Sequence, residues 1–337
     1  MPKIPVNALI LAAGPGTRMK SSRAKVLHEV LFEPMIHHVV QTVNGAGFDN
    51  VFVIVGHQKE EVMAVLDDFQ ISFVVQEEQL GTGHAVLCAE SQLQAIGGTV
   101  MILSGDVPLI SRTSVEQMLA AHQDRGPALT IMTTLLEDPA NYGRILRSEG
   151  GQLLAIVEEK DTTVDQKKIK EINAGIYCAD VSFLFEALRK VGTDNSQGEV
   201  YLTDIVEIAI AMDRHVDIFS GTTAEEVLGV NSKSELAAAN KYLQARTNNK
   251  LMAEGVTLND PETIFIQQGV CVGSDTSINP NVQITGQTAI GSNCTIGPDV
   301  ILHDCQIGDH AVISPFSNLS GCRIDNGKTV KPHTTIT

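Results

Sequence analysis

No segment of this 337-residue chain holds an apolar run long enough to cross a bilayer. Met1 to Ala13 also lacks the basic-then-apolar order and cleavage site of a secretory signal, so neither a membrane anchor nor export is expected. Close cysteine pairs are missing too. Cys88, Cys178, Cys271, Cys294, Cys305 and Cys322 form no CxxC, which excludes a small disulfide scaffold and fits reduced thiols in the cytoplasm. Positive charge is scarce, with 24 Lys and Arg against 40 Asp and Glu and a net charge of -16. Binding a polyphosphate backbone needs a broad basic surface that displaces counterions, so a nucleic-acid partner is not expected. Small anionic substrates stay open, because a pocket can gather a few cations and a metal while the rest of the surface is acidic.

Hydrophobic residues make up 43% and charged residues 19%, an ordinary globular balance that is too apolar for disorder. The length favours two domains, each able to bury its own core. The first two thirds alternate short β-branched runs with longer helical stretches, the pattern of a mostly parallel sheet wrapped by helices. Val6 to Ala12, Val51 to Val55, Val100 to Leu103 and Ala128 to Thr134 read as strands. Pro34 to Ala46, Glu60 to Phe69 and Ser111 to His122 read as intervening helices. From Ser232 the composition turns rich in Ala, Lys, Glu and Leu, predicting one connecting helix that is capped by Ser232 or Ser234 and stopped at Gly255.

Beyond it lies an internal repeat. Aliphatic residues recur every sixth position at Ile266, Val272, Ile278, Ile284, Ile290, Ile296 and Leu302, then at Ile307, Ile313 and Leu319, then at Ile324, Val330 and Ile336. Two breaks in phase shorten one repeat each to five residues. A six-residue period fits neither an amphipathic helix nor an alternating flat sheet; it suits a parallel β-helix whose stacked aliphatics fill a narrow core, in about four coils. The expected layout is a transferase-sized α/β domain over 1–231, a connecting helix over 232–254 and a β-helix over 255–337.

The chemistry is concentrated after the first strand, in Leu11-Ala12-Ala13-Gly14-Pro15-Gly16-Thr17-Arg18-Met19, followed by Lys25. A loop leaving the carboxyl end of a parallel strand is where open α/β sheets bind ligands, and its glycines let backbone N–H groups approach phosphate. Alone, Gly-x-Gly is a weak signal that reads first as an ordinary tight strand-to-helix turn. Arg18 as a fork and Lys25 as a point charge turn it into a phosphate cradle with its own cations. The spacing matches neither the Walker pattern nor the dinucleotide fingerprint.

The run LILAAGPGTRMKSSRAKVLH, with QEEQLGTGHA, LSGDVPLI, NYGRI, IVEEKD, INAGIY, QGEVYLTD and EVLGVN in that order, closely resembles the N-acetylglucosamine-1-phosphate uridylyltransferase (GlmU) family from residue 4 to about 336. The resemblance implies a Rossmann-like nucleotidyltransferase domain, a connecting helix and a left-handed β-helix that assembles as a trimer. It implies uridylyl transfer from UTP to N-acetylglucosamine 1-phosphate. Ala13, Gly14, Gln76, Gly81 and Thr82 would hold the nucleoside, with Gly16 and Thr17 beside them on the loop. Arg18 and Lys25 would hold the phosphates. Gly143, Glu158, Asn173 and Thr203 or its neighbours would line the sugar pocket, and Asp106 with Asn231 would bind Mg2+.

The residue types suit those roles. Gln76 offers a donor and an acceptor on one amide, enough to read a pyrimidine edge. Asp106 follows the Val100 to Leu103 strand, so its carboxylate stands at the sheet's carboxyl edge, although a turn-capping Asp has the same sequence position. Mg2+ commonly takes one or two protein oxygens plus phosphates and water. Paired Glu158 and Glu159 allow acid–base work, but a sugar phosphate is already ionised; sugar hydroxyl recognition by Glu158 is the favoured reading. His28, His84, His37 and His38 show no metal-ligand spacing and read as structural.

Three positions depart from the family pattern. Ala24 stands where proline is usual before the lysine, which loosens φ there. Ser104 stands where an aromatic is common. The sequence given ends at Thr337, before the coils that carry the family's acetyltransferase residues, so no acetyl-CoA-dependent activity is expected of these residues. Competing readings are a related nucleotidyltransferase with a different NTP or hexose 1-phosphate, a noncatalytic nucleotide-binding protein, and an oligomerisation scaffold.

Overall fold

The computed structural model describes residues 4–221 and 223–337; Met1 to Lys3 and Thr222, inside the span expected for the first domain, lie outside them. Two compact units divide the chain: one takes in residues up to His28 and Pro34–Lys233, the other Glu29–Glu33 and Ser234–Thr337. Among the described residues no helix is long and apolar enough to cross a membrane.

In the first unit the strands are β1 (Val6–Ala12), β2 (Asn50–Val55), β3 (Ser72–Val75), β4 (Thr99–Ser104), β5 (Leu129–Leu135), β6 (Arg144–Arg147), β7 (Leu153–Val157), β8 (Glu171–Asp180) and β9 (Val216–Phe219). They form one sheet in the order β9-β5-β8-β4-β1-β2-β3, with β6 pairing β8 and β7 pairing β6. Each strand expected from the sequence is present, shifted by at most one residue at an end. Successive residues of β1 go to opposite faces: Leu9 joins one buried cluster with Phe52, Ile102 and Tyr177, whereas Ala8 and Ile10 join another with Val53, Met101 and Ile176. Both faces are covered by helices, which is why these strands read as near-continuous apolar runs.

The sheet is mixed rather than purely parallel, because β8 runs antiparallel to β4, β5 and β6. Its pairing with β5 slips between Asn173 and Tyr177, a bulge that passes through Gly175 at φ 72. Helix bounds differ slightly from the sequence reading. Arg112–Arg125 is capped by Ser111, whose hydroxyl accepts from Ser114 N at 3.1 Å, and it runs on to Gly126 in the left-handed region. Lys59–Val65 is shorter than expected, because Phe69 N donates to Leu66 O and closes a turn there.

The second unit contains three parallel stacks of five, five and four short strands, a β-helix. All thirteen aliphatic positions of the repeat lie in these strands, and Ile278, Ile296, Ile313 and Val330 stack in one column. One strand precedes the repeat: Thr257–Leu258 pairs with Ser277–Ile278. The 3-10 turn Pro261–Thr263 separates it from the next strand, which puts it out of the six-residue phase. A second position, two residues before the aliphatic, is buried in most repeats and fills the corners with Ile264, Val282, Cys294, Val300, Cys305 and Ala311. Where that position is Thr276 or Thr288, the hydroxyl donates to a carbonyl, of Gly291 at 2.7 Å and Thr285 at 2.6 Å. The turn residue one position earlier is left-handed at Asp275, Asn281, Asn293 and Asp299, the side chains that best tolerate that region after glycine.

Helix Lys233–Ala253 packs its Leu251 into the β-helix core and closes the first coil with amides. Gln244 Nε2 donates to the carbonyls of Glu262 (2.9 Å) and Ile264 (2.8 Å), and Asn248 Nδ2 to those of Pro261 (2.8 Å) and Ile264 (2.9 Å). These carbonyls have no coil above them, and the amides satisfy them.

Candidate active site

Strand β1 lies between β4 and β2, the place where the order of strands reverses and an open sheet leaves a crevice at its carboxyl edge. Leu11 pairs with Ser104, and Gly105 N donates to Leu11 O at 2.9 Å, so the loop after β1 and the turn bearing Asp106 leave the sheet side by side. A cleft there is lined by Ala13, Gly14, Lys25, Gln76, Gly81, Thr82 and Asp106, all sites expected from the sequence, together with Gln79, Ser104 and Glu199, which were not.

Two glycines of the loop do different work. At Gly16, φ is 61 and an added Cβ would lie 2.5 Å from Lys25 Cβ, so glycine is what lets Lys25 close on the loop. An added Cβ at Gly14 would meet nothing within 4 Å; its backbone borders open cleft. Thr17 and Arg18 sit exposed on the 3-10 turn Thr17–Met19. Ala24 keeps φ at -53, the proline value, although it is alanine.

Cation and oxygen groups converge beside this loop. Lys25 Nζ forms an ion pair with Asp106 Oδ2 and donates to Asn231 Oδ1 at 3.0 Å, and the Arg18 guanidinium donates to the same Oδ1 at 2.8 Å. Burial alone would raise the Asp106 pKa, but the Lys25 ammonium outweighs it and holds the carboxyl below its usual value. Val230 N donates to Asp106 O at 2.9 Å, which ties the two proposed metal ligands together through backbone. Because Lys25 Nζ already reaches both an Asp106 and an Asn231 oxygen, the donor set fits a small oxygen-seeking cation that keeps waters and phosphates as its other ligands. No cluster of three or more His, Cys, Asp or Glu suited to a metal occurs among the described residues.

Among the residues expected to hold the nucleoside, Gln76 is buried and its Nε2 donates to Gly81 O at 3.2 Å and meets His84 Nδ1 at 3.0 Å. Both amide hydrogens are thereby engaged within the protein, so the group directed to a ligand is the carbonyl oxygen. Gly81 has φ 111, and a Cβ there would strike Val200 O at 2.5 Å. Thr82 Oγ1 accepts from Leu202 N at 3.1 Å.

The expected sugar residues form a second group. Thr203 Oγ1 donates to Glu158 Oε1 at 3.3 Å, Asn173 N donates to Gly143 O at 2.9 Å, and an added Cβ at Gly143 would lie 3.7 Å from Glu158 Oε2. Asn173 Nδ2 donates to Tyr177 Oη at 2.6 Å, and Gly175 N donates to Asn173 Oδ1 at 3.0 Å, so the bulge in β8 orients this amide. Burial raises the Glu158 pKa, with Asp204, Asp161 and Glu199 adding to it against the Thr203 hydrogen bond. Asp204 is pushed up to about 6 by burial and by Glu207 and Asp161. Glu159 turns away and pairs with Arg144 at 2.7 Å. Sequence reasoning reached Asp204 only as a neighbour of Thr203 and overlooked Glu199 and the neighbours of Gly143; the NYGRI motif was the available pointer to the last.

Residues 8–171 match the MobA-like NTP transferase domain family, and residues 288–321 match the bacterial transferase hexapeptide (six repeats) family. A protein named Bifunctional protein GlmU from Desulfotalea psychrophila is 46% identical over 320 residues, covering 95% of this chain and 94% of that protein. Proteins of the same name from Pelobacter propionicus and Syntrophotalea carbinolica are 44% and 45% identical, covering 97% and 94% of this chain and 71% and 68% of their own lengths. The transferase match spans the loop and Asp106, the hexapeptide match lies on the β-helix coils, and identity extends over almost the whole chain: it belongs to the GlmU family and is a nucleotidyltransferase.

Proposed function

We propose that this chain transfers the uridylyl group of UTP to N-acetylglucosamine 1-phosphate, forming UDP-N-acetylglucosamine and pyrophosphate in a Mg2+-dependent reaction. The observation that supports it most directly is the convergence of Arg18, Lys25, Asp106 and Asn231 beside the open backbone of Gly14. A phosphate oxygen of the sugar phosphate attacks the α-phosphorus in line; it is already ionised, so no side chain need act as base. Ala13, Gly14, Gly16, Thr17, Gln76, Gly81 and Thr82 orient the nucleotide. Lys25 exchanges its Asp106 and Asn231 contacts for phosphate oxygens, and with Arg18 it stabilises charge moving onto the leaving pyrophosphate. Asp106 and Asn231 would hold Mg2+, whose charge when bound offsets repulsion among the phosphates. Gly143, Glu158, Asn173 and Thr203 recognise sugar hydroxyl and amide groups.

Pyrophosphate release, measured with Mg2+ across a panel of NTPs and sugar 1-phosphates, tests the whole reading. Turnover confined to UTP and N-acetylglucosamine 1-phosphate is expected. Preference for another NTP or hexose phosphate would retain the reaction class and overturn the substrate, and silence from folded protein would favour a noncatalytic role. The same reading has the enzyme working in the cytoplasm as a homotrimer through its β-helix. The hexapeptide match supports oligomerisation, and sedimentation equilibrium would separate a trimer from other states.

A further inference from the structure

Of the NYGRI run only Gly143 has a place in the site so far. Its neighbour Arg144 is the largest side chain fully withdrawn from solvent. The guanidinium NH1 donates to Tyr142 O, and NH2 donates to Glu159 Oε2 at 2.7 Å. Its Nε is buried with no hydrogen-bond partner. A buried guanidinium with an unpaired N–H is costly, and an apolar side chain of similar volume would fill the space at less cost. What the guanidinium supplies that an apolar group cannot is a fixed position for the Tyr142 peptide.

That position matters because of where the Tyr142 ring ends. Its Oη accepts a hydrogen bond from Gly229 N at 3.2 Å. Gly229 O in turn accepts from Asn231 Nδ2 at 3.1 Å. A Cβ added at Gly229 would lie 3.3 Å from Asn231 Nδ2 and 3.5 Å from Asp106 Oδ2, so this segment runs directly against the two oxygen ligands. Its conformation is therefore held from two sides, by Asp106 O through Val230 N and by Tyr142 Oη through Gly229 N. The next residue, Gly143, carries the carbonyl that fixes Asn173 N.

We propose that Tyr142 and Arg144 are positioning residues that lock the sugar-side turn to the Gly229–Asn231 segment and so set the Asn231 carbonyl for the metal. The proposal rests on the reading of Asp106 and Asn231 as cation ligands given above. Neither Tyr142 nor Arg144 is assigned a contact with substrate.

The test is Tyr142→Phe, which removes the hydroxyl that accepts from Gly229 N and keeps the ring. Mn2+ binding to the protein in the presence of UTP, without sugar phosphate, is read by electron paramagnetic resonance. Loss of groups that orient a metal ligand commonly weakens metal affinity 10- to 100-fold, and a shift of about 10-fold is expected here. Metal-free UTP affinity should stay at the wild-type value, and the melting temperature should fall by no more than a few degrees, the cost of one buried N–H losing its acceptor. Arg144→Met should give the same Mn2+ shift if it folds. Unchanged Mn2+ affinity in Tyr142→Phe would overturn the proposal, as would a parallel loss of metal-free UTP binding and thermal stability, or the failure of wild-type protein to bind Mn2+ with UTP. If wild type binds Mn2+ and responds to the substitution yet releases no pyrophosphate from any substrate pair, the positioning role stands and the reaction reading fails.

Discussion

Lys25 shows how one side chain serves packing and, in the proposed reaction, chemistry. It neutralises buried Asp106 and reaches Asn231, while Gly16 gives it room. Lys25→Ala should lower kcat by roughly 10²- to 10³-fold, the usual cost of removing one preorganised charge donor, with circular dichroism unchanged; near-normal kcat would remove it from the mechanism. Asp204 carries a pH signature. Its folded pKa, about 6, lies above the ordinary carboxyl value, so the protonated form is favoured in the fold. The associated stability is full below roughly pH 4 and is lost as pH rises through 6. Asp204→Asn should therefore leave the melting temperature unchanged near pH 4 and raise stability by about 1 kcal/mol at pH 7.5, a figure discounted because the group is half-exposed. Equal effects at both pH values would remove titration as the cause.

At the scale of elements, the loop after β1 depends on backbone geometry that the sequence relaxes at one point. Ala24 holds φ at -53 without a ring to enforce it. Restoring proline by Ala24→Pro should stabilise the protein by about 0.4–1 kcal/mol through the unfolded chain, visible in urea melts; destabilisation would mean that the ring meets the buried surroundings of Ala24. The β-helix has the converse feature. His310 adopts φ 59 at a turn position where the preceding coils use Asp275 and Asn293 and the next uses Gly327. His310→Asn should raise the stability of that unit by about 1 kcal/mol, and a fall in melting temperature would show that the imidazole supplies compensating contacts.

For the whole molecule, two separately buried interiors have thermodynamic consequences. The apolar clusters of the sheet unit share no residue with that of the β-helix, where Ile278, Ile296, Leu302 and Ile313 are fully buried. Calorimetry should resolve more than one transition. Ile296→Ala, which removes a buried column member, should cost about 2–5 kcal/mol and shift only the β-helix transition; a shift of every transition together would mean that the two interiors unfold as one.

Much of this architecture is written in local pattern. The six-residue aliphatic period is read directly because each coil repeats the same burial problem, and two short repeats merely change its phase. The β1 loop is legible because its glycines and cations sit within a few residues of one another at the end of a strand. Corner positions such as Thr276 and Thr288 were not, since a buried hydroxyl is recognised only once its carbonyl partner on another turn of chain is known. Neither was the bulge in β8, or the reach of Tyr142 to Gly229 across 87 residues of sequence. Sequence alone determined the two architectures, the family and the residue types of the site, because these follow from short-range spacing. Only the tertiary structure decided that the amide hydrogens of Gln76 are already engaged, which carboxyls are buried beside one another and what holds Asn231 in place, because those depend on hydrogen bonds and desolvation that local sequence pattern does not fix.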